Sequence, residues 1–114
     1  MLTVSYLLDY LTGLFSALGC SLNDAQTVAQ SLIEGELLGL DAYGLVYAER
    51  YYELIRSGRV HLKPEMRIVY QTPSTATLEA DAALGPLAAK RGMELAIEKA
   101  VTAGTGWVAV RDSN

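Results

Sequence analysis

Arg67–Val110 reads RIVYQTPSTATLEADAALGPLAAKRGMELAIEKAVTAGTGWVAV, and its changes of period decide the fold class. Arg67–Tyr70 and Ala76–Glu79 read as short strands around the turn Thr72-Pro73-Ser74. Pro64 and Pro73 suit strand ends and turns better than strand interiors, because proline cannot donate to a ladder. Gly85-Pro86 then opens a helix, with proline at a tolerated first-turn position, and the helix carries Met93, Ile97, Ala100 and Val101 as far as Gly104. Trp107–Val110 is a short apolar strand that ends in the polar run Arg111–Asn114. Gly104-Thr105-Gly106 precedes a strand and does not join a strand to a helix, so it reads as a turn and fails the context of a dinucleotide-binding loop.

Upstream the period is helical. Ser5–Leu18 carries Leu7, Leu8, Leu11, Leu14, Phe15 and Leu18 at three- and four-residue steps, and Gly19 is a natural stop. Asn23 reads as the N-cap of a second helix from Asp24 to about Leu40, with Val28, Leu32, Ile33 and Leu37 on its buried stripe. Gly35 and Gly39 cost this helix about 1 kcal/mol each relative to alanine. Four residues apart, they also let another backbone come close. Gly44 marks a turn, a third helix spans Leu45–Ser57, and Gly58 closes it. Three helices, a hairpin, a helix and a strand make the chain mixed α/β, with a helical region over 1–58 and a hairpin, helix and strand over 59–114.

The chain has 114 residues, of which 51% are hydrophobic and 19% charged, the composition of one small core-forming domain. Its net charge is -4, and no lysine or arginine precedes Arg50. This argues against a nucleic-acid partner, which needs a basic patch, and against a signal peptide, which opens with positive charge. Asp9, Asp24 and Glu34 interrupt every apolar run before the ~18 residues that a membrane span requires. Cys20 is the single cysteine, so no internal disulfide forms, and a cytoplasmic location is the expectation. Cys20 and the single His61 offer no metal-ligand cluster, and no metal is expected.

Tyr43, Tyr47, Tyr51 and Tyr52 lie within ten positions, and the first three stand at four-residue steps. Spacing of this kind puts side chains on one helix face if the helix starts early enough to include Tyr43. A phenol can donate or accept a hydrogen bond and can act as an acid, while tyrosine stripes more commonly pack with the hydroxyl at the edge. Arg50, Arg56 and Arg59 can grip a carboxylate bidentately or pair with Glu49 and Glu53 along the helix.

Gly39-Leu40-Asp41-Ala42-Tyr43-Gly44-Leu45, followed by Tyr51 and Gly58, resembles the signature of the malate/L-lactate/ureidoglycolate/sulfolactate dehydrogenases. Asp81, Gly85, Ala88, Met93, Ala96–Ala100, Gly104, Val108–Arg111 and Ser113-Asn114 extend the likeness over nearly the whole chain. The resemblance implies a nicotinamide oxidoreductase that binds NAD or NADP outside the ordinary Rossmann fold. It also implies a small-molecule substrate such as a 2-keto acid or a cyclic imine, and a dimer or other homo-oligomer. Where the family places a serine, a proton-donating histidine and a carboxylate-binding arginine, this sequence has Ala42, Tyr43 and Tyr47. The resemblance therefore assigns Tyr43 as proton donor, Tyr47 and Arg50 to the substrate side, and Ser113 and Asn114 to the cofactor side. Asn114 falls one residue before the family's next histidine, where the cofactor-binding segment begins, so a complementary C-terminal chain is the expected partner. The altered triplet leaves an alternative: a diverged member without dehydrogenase activity, with other chemistry in the pocket or a binding or scaffold role.

Overall fold

A computed structural model describes residues 2–114. The elements are α1 (Val4–Ala17), α2 (Leu22–Leu37), a single 3-10 turn (Asp41–Tyr43), α3 (Tyr47–Arg56), β1 (Arg67–Gln71), β2 (Thr75–Ala83), α4 (Gly85–Ala103) and β3 (Trp107–Ser113). They fall into two compact units that divide between Lys63 and Pro64.

In the first unit, α1 packs on α2. Thr3 caps α1 by accepting from the Tyr6 amide at 3.1 Å, and Leu11 and Phe15 are its buried residues. The cap of α2 is Ser21, not Asn23: the Ser21 hydroxyl accepts from the Asp24 amide at 3.2 Å. Starting two residues early frees Asn23 to lie inside the helix, where its carbonyl accepts from the Thr27 hydroxyl. Val28, Leu32 and Ile33 are buried as the spacing requires, together with Ala25, Ala29 and Gly35. Leu37 is 67% exposed, because α2 stops there and the chain turns away at Gly39 (φ +72°). Gly39 thus serves the helix end, since nothing lies within 4 Å of where its Cβ would be. Close backbone approach belongs to Gly35 alone of the two, where a Cβ would strike the Tyr43 carbonyl oxygen. The third helix starts at Tyr47, two residues later than its sequence pattern suggests, so Tyr43 sits ahead of it on the 3-10 turn.

In the second unit the strand order is β1-β2-β3. β1 runs antiparallel to β2, and β3 runs parallel to β2 after the crossover through α4. The buried side of α4 is Leu87, Ala88, Gly92 and Leu95. Small residues let the helix settle on the sheet, and the Gly92 Cα faces Val110 closely enough that a Cβ would stand 2.9 Å from its Cγ2. Met93, Ile97 and Val101, the large residues that mark this helix in the sequence, are exposed.

β2 and β3 both outrun the sequence-based strands. Their pairing is regular from Thr75↔Trp107 to Glu79↔Arg111, then slips and resumes at Ala83↔Ser113. The slip is built from Asp81, Ala82 and Asp112, all at positive φ (53°, 55° and 57°). Aspartate tolerates that region, while alanine at Ala82 stores about 1–2 kcal/mol of backbone strain. The Asp81 carboxylate accepts from the Glu65 amide at 3.0 Å, which holds the irregular segment in place. Bulges of this kind re-aim the residues that follow them.

Replacing Gly13, which has nothing within 4 Å of a built Cβ, by alanine is expected to raise stability by about 0.5–1 kcal/mol through helix propensity. Leu32→Ala, at 1% exposure, is expected to lower it by about 2–5 kcal/mol. Urea unfolding monitored by circular dichroism reads both; equal small effects would mean that the α1–α2 core is not packed as described.

Candidate functional site

The tyrosines at four-residue steps do line up, although the helix supplies only two of them. The Tyr43 and Tyr47 ring centroids lie 6.2 Å apart at a 37° tilt. Tyr47 and Tyr51 meet edge to face at 4.9 Å, and Tyr51 meets Phe15 of α1 at 6.4 Å and 68°. These separations suit aromatic pairs, each worth about 0.5–1.5 kcal/mol beyond burial. The four rings form a ladder from solvent to core: Tyr43 is 67% exposed, Tyr51 8% and Phe15 0%. Tyr52 points elsewhere and accepts a hydrogen bond from Arg56 Nη1 at 3.0 Å.

Burial separates these phenols chemically. The Tyr51 hydroxyl is pushed up to about 12, first by desolvation and then by Tyr47 beside it. It stays neutral through the physiological range and acts as packing. Tyr43, at the open end of the ladder, is the phenol that a ligand can reach. Cys20 is buried, and burial followed by the charge of Asp24 raises its thiol, which leaves little reactive thiolate.

Arg50 lies one turn beyond Tyr47 and places Nη1 3.9 Å from Glu53, both side chains being largely exposed. It lines a cleft of about 280 Å³ with Glu53, Leu54, Ser57 and Arg59. The pairing of Arg50 with a helix carboxylate is the ordinary surface arrangement that the spacing allows.

Ser113 and Asn114 belong to the second unit, where the β2–β3 bulge sets them. The Asn114 amide donates to the Ala83 carbonyl at 3.0 Å, and its own carbonyl accepts from the Gly85 amide. Gly85 permits this approach, because a Cβ there would stand 2.7 Å from the Asn114 oxygen. Both residues are exposed. Sequence reasoning found these positions by resemblance, but nothing in the residue pattern announced the bulge, since Asp81 and Ala82 take positive φ without a glycine. Next to it, Glu65, Arg67, Glu79, Asp81 and Asp112 line a polar cleft of about 320 Å³, and Arg111 pairs with Glu79 across the two parallel strands. Among the described residues no group of three or more His, Cys, Asp or Glu side chains is arranged to hold a metal ion, and no helix is long and apolar enough to cross a membrane.

The family model for malate/L-lactate dehydrogenase matches residues 2–114. The chain belongs to this family. It is 38% identical over 108 residues to a malate dehydrogenase of Pyrococcus abyssi, covering 95% of the chain and 30% of that protein. To a ureidoglycolate dehydrogenase (NAD(+)) of Escherichia coli it is 38% identical over 92 residues, 81% of the chain and 26% of the relative. The solved malate dehydrogenase of Pyrococcus horikoshii superposes with a TM-score of 0.97 at 34% identity, over 99% of this chain and 32% of that one. The chain thus spans about 30% of the length of the curated relatives it matches. The likeness extends over both units, so the mixed α/β elements read from the sequence are those of the family fold.

The raised Tyr51 group carries a pH consequence. The folded form keeps its proton up to about 12, whereas an exposed phenol loses it near ~10. Between those values the native state binds more protons than the unfolded state, so stability falls as pH rises. The contribution is complete below about pH 10 and is lost through about pH 12. Tyr51→Phe is expected to flatten this alkaline loss, as read by denaturant midpoints from pH 8 to 12. An unchanged slope would mean that the Tyr51 hydroxyl is not desolvated.

Proposed function

We propose that this chain is the N-terminal part of a nicotinamide-dependent oxidoreductase that reduces a small 2-keto acid or a cyclic imine. In this reading it acts together with a complementary C-terminal chain, in a homo-oligomer of the assembled unit and in the cytoplasm. The observation that carries the reading is the match along almost the whole chain to malate and ureidoglycolate dehydrogenases, joined to a phenol presented at the solvent end of the aromatic ladder.

Reduction of a C=O or C=N bond needs a hydride at carbon and a proton at the heteroatom. NAD or NADP, when bound, supplies the hydride. The donor set of the second unit fits such a group: an exposed hydroxyl at Ser113 and an amide side chain at Asn114, on backbone held by the bonds to Ala83 and Gly85. These residues would hold polar parts of the cofactor. In the first unit, Tyr43 would donate its Oη proton to the oxygen or nitrogen that gains negative charge. A phenol is a weaker acid than an imidazolium near neutral pH, so this donor works by position more than by acidity. The ring of Tyr47 backs that of Tyr43, which limits its rotamers. Tyr47 would hydrogen-bond a substrate oxygen, and Arg50 would supply positive charge one turn further along α3.

Two measurements test this. The assembled pair is expected to oxidise NADH or NADPH with a panel of 2-keto acids and cyclic imines. Tyr43→Phe is expected to lower kcat by about 10²–10⁴-fold, the usual worth of a positioned acid, with KM moving far less. Absence of both turnover and cofactor binding by the assembled pair would sink the proposal. Loss of stability alone in Tyr43→Phe would assign the tyrosines to packing, whereas absence of turnover would favour a diverged member without dehydrogenase chemistry.

A further inference from the structure

Tyr43 sits on a single 3-10 turn whose residues are all exposed and which has no side-chain cap. Such a segment has too little burial of its own to hold a side chain in one place. Beside the ring of Tyr47, what fixes its backbone comes from the last turns of α2. Gly35 lies so close beneath the turn that a Cβ would strike the Tyr43 carbonyl oxygen. Gly44 lies against Glu36 in the same way: a Cβ there would overlap Glu36 Oε2 and stand 3.1 Å from the Glu36 Cα and amide nitrogen. Between these contacts, Glu36 Oε2 accepts a hydrogen bond from the Leu45 amide at 3.0 Å. Leu45 immediately precedes Val46, the N-cap of α3, which itself makes no side-chain capping bond. The Glu36 carboxylate therefore meets an N–H donor that α3 does not use, at the end of α3 where the helix dipole favours negative charge.

We infer that Glu36 is a positioning residue for Tyr43, acting through the Tyr43-Gly44-Leu45 backbone that it ties to α2. The inference rests on the reading of Tyr43 as the proton donor. Gly35 and Gly44 remove the side chains that would keep the segments apart, and the carboxylate then fixes the separation. Both ends of the Tyr43-Gly44-Leu45 segment are held, Tyr43 through its carbonyl contact and Leu45 through its amide. Nothing in this arrangement brings Glu36 itself to the reacting atoms. Its effect falls on where the phenol stands and not on the chemistry of the phenol.

The test compares Glu36→Ala with Glu36→Gln in the assembled protein. Glutamine keeps an acceptor for the Leu45 amide and loses only the charge, while alanine loses both. Glu36→Ala is expected to speed hydrogen exchange of the Leu45 amide about ten- to a hundredfold, as expected for the loss of one hydrogen bond to a charged acceptor. It is also expected to lower kcat about tenfold or more with little change in KM, since misplacing a catalytic group costs rate before binding. Glu36→Gln is expected to restore most of both. Unchanged exchange at Leu45 in Glu36→Ala would overturn the inference, as would an active protein whose kcat ignores the substitution. If exchange responds but the wild-type assembly shows no turnover, the tie between Glu36 and the turn stands, and it is the assignment of Tyr43 as proton donor that fails.

Discussion

Backbone laid directly on backbone is the constraint around which each unit is organised. In the first unit the contact is α2 at Gly35 against the carbonyl of Tyr43. In the second it is the turn at Gly106 against the carbonyl of Ala96 on α4. A side chain at either point would push the two segments apart by the thickness of a methyl group, and overpacking of that kind costs about 1–3 kcal/mol. The consequence in the first unit reaches the candidate site. With the 3-10 turn pressed onto α2, Tyr43 falls into step with Tyr47 and Tyr51 although it is not on their helix. The four-residue spacing is then met by a turn followed by a helix, and the stack reaches Phe15 in the core without a break.

The period of the apolar residues made the elements legible, and it did so best where burial is complete. Val28, Leu32 and Ile33 are inside because a helix facing a neighbour must place residues at those steps there. Leu37 follows the same arithmetic and yet is outside, because the pattern says nothing about where a partner helix ends. Asn23 and Ser21 are both good caps. What decides between them is which hydroxyl or amide reaches an orphan N–H, a choice made by three-dimensional geometry. In α4 Met93, Ile97 and Val101 face out, while Leu87 and Leu95 are buried with Ala88 and Gly92, because close helix–sheet packing needs small residues where the helix comes nearest the sheet. The bulge at Asp81 and Ala82 left no trace in the sequence, since neither residue is the glycine that positive φ normally selects.

The candidate site shows the same division. Tyr43, Tyr47, Ser113 and Asn114 stand out by resemblance, and spacing put Tyr43, Tyr47 and Tyr51 in step, but the 3-10 turn under Tyr43 and the contact with Phe15 were not written in it. Glu36 was not, because an exposed glutamate late in a helix looks like any solvated charge. Its role comes from a contact nine residues along the chain, made possible only by the shape of Gly44. Long-range partners of this kind are written in two places at once, and each half taken alone is ordinary.

Three tyrosines in register are not three equivalent phenols. Burial holds Tyr51 neutral and ties it to Phe15, so the inner end of the ladder is structure. Tyr47 is half-buried and bears on both neighbours. Tyr43 alone of the three offers most of its surface to solvent. A repeated residue type is thus graded by depth, from packing through support to an exposed outer group. The grading also bears on recognition in the proposed reading. Nothing in the ladder is charged, and Arg50 shares its charge with Glu53. A substrate meeting Tyr43 and Tyr47 would be selected by ring contact and hydrogen bonding, with electrostatic attraction secondary. Such a site discriminates by whether a polar group finds its partner, which penalises an unmatched ligand more strongly than a small difference in apolar size.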